Sequence, residues 1–124
     1  MFILYAYSSN LGLGIHNFYA KVYVNSDFNL SNVISVQVGN QVPYSGENHL
    51  IPGVIEAGHY DSFEGGNGQN ISYLDASLDN QGNFRGTEYV DGLSVANEGA
   101  TVGWISTGEW LEYSVDVQTT GCYD

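Results

Sequence analysis

Positive charge is nearly missing from this 124-residue sequence: Lys21 and Arg85 stand against fourteen acids, for a net charge of −12. A field of that sign repels phosphate backbones and anionic headgroups, so neither nucleic acid nor a membrane surface is an expected partner, and neutral ligands and cations remain. Cysteine is represented by Cys122 alone, which excludes an intrachain disulfide and leaves the redox compartment open. The apolar opening, MFILYAYSSN, is too short to cross a bilayer and lacks the cationic flank and small-residue cleavage site of a secretion signal, so it reads as a strand. No segment keeps an apolar i, i+3, i+4, i+7 stripe, which argues against helices.

What the chain does have is 16 glycines, 10 tyrosines and many Val, Ile, Ser and Asn residues, the composition of short strands joined by turns. The expected class is all-β. Charge divides the chain: residues 1–46 hold Asp27 and Lys21, a net of zero, and residues 47–124 hold thirteen acids and Arg85. Both prolines fall in GNQVPYSGENHLIPG, which reads as a linker. The expected organisation is therefore residues 1–39, a linker over 40–50, and residues 51–124.

Before the linker, HNFYAKVYV and NVISVQVG alternate with the period of a half-buried sheet, and the polar NSDFNLS reads as their connection. Two strands cannot enclose a core. After the linker, strands are expected near Val54–Ala57, Ile71–Leu74, Tyr89–Asp91, Thr101–Ser106 and Trp110–Val117, with EGGNGQN and DNQGN as turns. In VGWISTGEWLEYSVDV, STG supplies a hairpin turn, which places Trp104 at the loop end of its strand. Strict alternation groups Leu111, Tyr113, Val115 and Val117 on one face and puts Trp110 on the other, more polar one.

The chemistry that the residues favour is binding. Glycoside hydrolysis needs two facing carboxylates, whereas Glu109 and Glu112 lie three apart on an expected strand and point to opposite faces. His16, His49 and His59 show no metal-ligand spacing, and no nucleophile triad is present. No catalytic residue is expected in this chain.

Two stretches resemble known families. Gly14-Ile15-His16 followed by Ser31-Asn32 and the alternation Val36, Val38 resembles the end of bacterial immunoglobulin-like modules. IPGVIEAGHYD, NISYLDASLDNQGNFRGTEYVD and VGWISTGEWLEYSVDVQTTGCY, in that order, resemble the first half of family 6 carbohydrate-binding modules, and their wording is similar to modules appended to marine agar-degrading enzymes. The resemblance implies an antiparallel β-sandwich of jelly-roll type, left incomplete and marginally stable because the chain would stop about halfway through the module. It implies a polysaccharide partner, agarose or a related galactan or another plant or algal β-glycan. The module would be a non-catalytic accessory of a secreted bacterial glycoside hydrolase whose other domains are attached to it. Trp104 is then the ligand-stacking ring and Trp110 a packed scaffold residue, with Tyr73, Asp75 and Asn80 bordering the cleft. A structural calcium is implied at Glu56; the family's second acid is replaced here by Gly58. The competing class is a structural spacer or adhesion module that binds no glycan.

Overall fold

A computed structural model describes residues 11–24 and 27–123; the strand read at MFILYAYSSN lies outside the described residues. Four strands come first, β1 (Gly14–Phe18), β2 (Lys21–Val24), β3 (Asp27–Leu30) and β4 (Ile34–Val38). β1 pairs with β4 and β2 with β3, both antiparallel, so together they form one long ladder with an interruption. At the interruption Tyr19 and Ala20 face three residues, Ser31 to Val33, and the unequal count breaks the register as a bulge does. The Ser31 hydroxyl oxygen accepts from the Ala20 N–H at 2.8 Å, and the Ser31 N–H donates to the Ala20 carbonyl at 2.9 Å. HNFYAKVYV is thus two strands instead of one. NSDFNLS is no mere connection, because Asp27, Phe28, Asn29 and Leu30 carry the same two-residue period and build β3.

The expected linker is woven into the sheets. It contains β5 (Gln41–Val42), a 3-10 turn (Tyr44–Gly46) and β6 (His49–Ile51). β5 pairs antiparallel with β7 (Ser62–Phe63), and β6 pairs parallel with β12 (Val115–Val117). Pro43 and Gly46, at φ +85°, shape a tight corner between paired strands, which composition alone does not distinguish from a flexible tether. Side chains fasten the corner: the Tyr44 ring stacks on His59 with centroids 4.1 Å apart, and His49 Nε2 lies 2.9 Å from the His59 carbonyl oxygen. The end of β4 reaches the same layer, since a Cβ on Gly39 would lie 2.3 Å from the Gly65 nitrogen. The 40–50 stretch is therefore tied by strand pairing to the residues that follow it. The β6–β12 pair also corrects the expectation of purely antiparallel strands.

Two further pairs complete the fold, β8 (Tyr73–Leu74) with β11 (Trp110–Leu111) and β9 (Gly92–Val95) with β10 (Gly99–Val102), both antiparallel. The turn at Ser106–Glu109 is present, but β10 and β11 do not pair across it; each takes a different partner. The expected strand at 110–117 breaks at Glu112–Ser114, where the Asp61 carboxylate accepts from the Ser114 N–H at 2.8 Å in place of a ladder carbonyl. Val54–Ala57 forms no strand, and Val54 is almost fully exposed. Among the described residues the longest helical element is the three-residue turn, so the protein is all-β.

The core is small and aromatic. Tyr60, Tyr73 and Val90 are its buried centre, packed by Tyr89, Val102, Leu111 and Tyr113. The Tyr60 and Tyr73 rings meet edge to face at 5.6 Å. Arg85 lies 3.7 Å above the Tyr60 ring and pairs with Glu88 at 2.8 Å; its guanidinium also donates to the Tyr60 and Asp61 carbonyls. One of the two cations is thereby consumed inside the fold.

Candidate functional site

Beside this core a cavity of about 280 Å³ opens between the 73–76, 102–105 and 109–113 segments. Leu74 and Trp110, partners in the β8–β11 register, line it together with Val90, Val102 and Leu111. Two carboxylates, Asp75 and Glu109, stand among these apolar groups. The arrangement offers an indole and aliphatic surface with acceptor oxygens, the mix that takes a ligand having both an apolar face and hydroxyls.

Glu109 holds the two loops of the site together. Its Oε1 accepts from the Ala76 N–H at 3.0 Å and its Oε2 from the Ser106 N–H at 2.6 Å. Ser106 and Glu109 carry the S-x-x-E spacing in which an acid reaches back to the N–H three residues earlier, so this clasp is legible in STGE. Asp75 is buried, and its Oδ1 accepts from both the Ser77 N–H (2.8 Å) and the Ser77 hydroxyl (2.7 Å). Its backbone is gripped by Gln69, whose amide donates to the Asp75 carbonyl and accepts from the Asp75 N–H.

Trp104 is 64% exposed, at the tip of the loop between Gly103 and Ile105, both of which line the cavity. Its φ of +49° lies in the left-handed region, which costs a bulky residue on the order of 1 kcal/mol and is held here by the turn around it. Trp110 is also partly exposed, at 37%, with the rest of its surface covered. It is Trp110 that lines the cavity, while Trp104 stands at its edge.

The other expected residues divide. Tyr73 is fully buried; its hydroxyl donates to Asn67 Oδ1 at 2.5 Å and accepts from the Tyr89 N–H at 3.0 Å. Removal from water pushes its phenol up to about 12. A side chain so enclosed packs in the core. Asn80 spends both ends of its amide on its own loop, donating to the Phe84 carbonyl and accepting from the Gly82 N–H, and it is not part of the cavity wall. Asp75 does line the wall. Glu56 Oε2 accepts from the Ala100 N–H at 2.7 Å and faces His59 Nε2 at 3.2 Å. Calcium needs six to eight oxygens, and among the described residues no group of three or more acids, histidines or cysteines assembles. Leu74, Ile105 and Glu109 were not singled out from the sequence as site residues; for the last, the S-x-x-E spacing is a signal by which it can be found.

No family model, curated protein or solved structure matches this chain.

Proposed function

We propose that the chain is a non-catalytic module that binds a neutral polysaccharide, agarose or a related galactan, through Trp104, Trp110 and the cavity between their loops. In this reading the strand pairs belong to a jelly-roll sandwich, and the module serves a secreted glycoside hydrolase as an accessory. One observation carries the proposal: a mostly exposed tryptophan is held in a left-handed backbone conformation at the rim of an indole-lined cavity. Exposed indoles are poor packing and good stacking surfaces. The axial C–H groups of a pyranose form an apolar face that matches them, while the Asp75 and Glu109 oxygens can accept from rim hydroxyls. Stacking one ring removes about 100 Å² of apolar surface from water, about 2.5 kcal/mol before association costs. Affinity therefore belongs in the micromolar to millimolar range.

The test is affinity electrophoresis in native polyacrylamide gels containing dissolved low-melting agarose. The chain should be retarded relative to a gel without polysaccharide, and Trp104→Ala should migrate as if no polysaccharide were present. Unretarded migration of the parent chain in agarose and in a panel of other β-glycans would favour the structural spacer.

A further inference from the structure

We infer that the site selects uncharged chains and rejects sulfated ones, with the buried Asp75 carboxylate as the residue that enforces the selection. The inference rests on the polysaccharide-binding reading above. It starts from three observations that do not depend on the identity of the sugar. First, Asp75 is 6% exposed yet lines the cavity, and its recorded hydrogen bonds come from Ser77, N–H and hydroxyl donors without charge. Its negative charge is therefore softened by no cation in its own loop. Second, Glu109, on the same wall, is likewise bonded by backbone N–H groups, from Ala76 and Ser106. Third, Arg85 is spent on the Tyr60 and Asp61 carbonyls and on Glu88, and Lys21 lies on β2, outside the cavity wall. Among the described residues, neither Lys21 nor Arg85 lines the cavity.

Carbohydrate sites that accept sulfate esters or carboxylates need cationic or N–H donors aimed at the anion. Here the wall presents the opposite charge beside Leu74, Val102 and Trp110, apolar groups that lower the local dielectric and lengthen the reach of the repulsion. The surrounding field has the same sign, since the protein carries −12. A hydroxyl can donate to these oxygens; a sulfate ester has no proton to donate. The two classes of chain are thus separated at the atoms that read the rim hydroxyls. The long-range part of the repulsion is screened by salt, whereas the part from a buried carboxylate at contact is not.

The experiment compares agaro-oligosaccharides with κ-carrageenan oligosaccharides of equal length, titrated calorimetrically into the whole chain at 20 mM and 500 mM NaCl. The expected result is at least tenfold tighter binding of the neutral chain at low salt, with the gap narrowing but not closing at high salt. Asp75→Asn keeps an Oδ1 acceptor for Ser77 and removes the charge, so the ratio of the two affinities should fall several-fold toward one. Equal affinities of the parent chain for both ligands, or calcium-dependent binding of the sulfated one, would overturn the selection and leave the polysaccharide reading intact. Binding of neither ligand would overturn that reading and this inference with it. The salt series on the parent chain decides the matter even if Asp75→Asn does not fold.

Discussion

Asp61 and Ser114 meet through two hydrogen bonds, the Ser114 N–H to Oδ1 and the Ser114 hydroxyl to Oδ2, each 2.8 Å long. The same carboxylate accepts from the Gln41 side chain at 2.8 Å, so one buried acid joins three distant parts of the chain. Asp61→Ala would take the acceptor from the N–H and hydroxyl of the half-buried Ser114 and release the exposed Gln41 side chain. The loss should be about 2–3 kcal/mol, read from urea unfolding midpoints.

The two tryptophans should differ in stability less than a buried and an exposed ring would. Trp104→Gly removes an exposed side chain and relieves a left-handed φ, so its melting temperature should equal or exceed that of the parent chain while retention in agarose gels is lost. Trp110→Ala, at 37% exposure, should cost about 1–2 kcal/mol, well below the cost of truncating a fully buried Trp, and should weaken retention as well. Retention unchanged by both substitutions would remove the cavity from the binding surface.

Alkaline pH offers a test of the core. Burial holds the Tyr73 phenol up to about 12, and burial with the Glu88 hydrogen bond pushes Tyr60 higher still. The folded chain keeps these protons more tightly than the unfolded chain, whose tyrosines titrate near 10. Their stabilisation is therefore complete below pH about 10 and is lost as pH rises through about 12. Absorbance at 295 nm should show exposed tyrosines ionising first, with a late step that coincides with unfolding. In Tyr73→Phe the loss of stability above pH 10 should be shallower.

Gly99 tests the Glu56 contact. Its φ is +85°, and a Cβ there would sit 2.6 Å from the Glu56 carboxyl carbon, displacing the oxygen that accepts from Ala100. Gly99→Ala should cost about 2–3 kcal/mol in chemical denaturation, the sum of a strained φ and a broken hydrogen bond.

The class was legible because alternation is local: His16–Phe18 of β1 and all of β4 lie inside stretches that read as strands. Partner choice was not, since it is settled between residues far apart. Nothing in STG announces that β10 turns to β9 and β11 to β8, and nothing near Pro43 announces that His49–Ile51 joins Val115–Val117. Within the site, simple alternation is not enough, since Trp110 and its neighbour Leu111 both line the cavity. Tyr73 and Asn80 lie outside the cavity wall for one shared reason, that a hydroxyl or amide near a turn can be engaged within the fold, here with Asn67, Tyr89, Gly82 and Phe84.

The parallel pairing of β6 with β12 also fixes an order of events during synthesis. His49–Ile51 leaves the ribosome long before its partner Val115–Val117, and that edge stays open while the intervening chain is made. Closing so long a loop gives up chain entropy before any contact rewards it. The nascent chain should thus remain vulnerable to proteases and chaperone capture until residue 117 has cleared the exit tunnel, and only then acquire protection in a single late step.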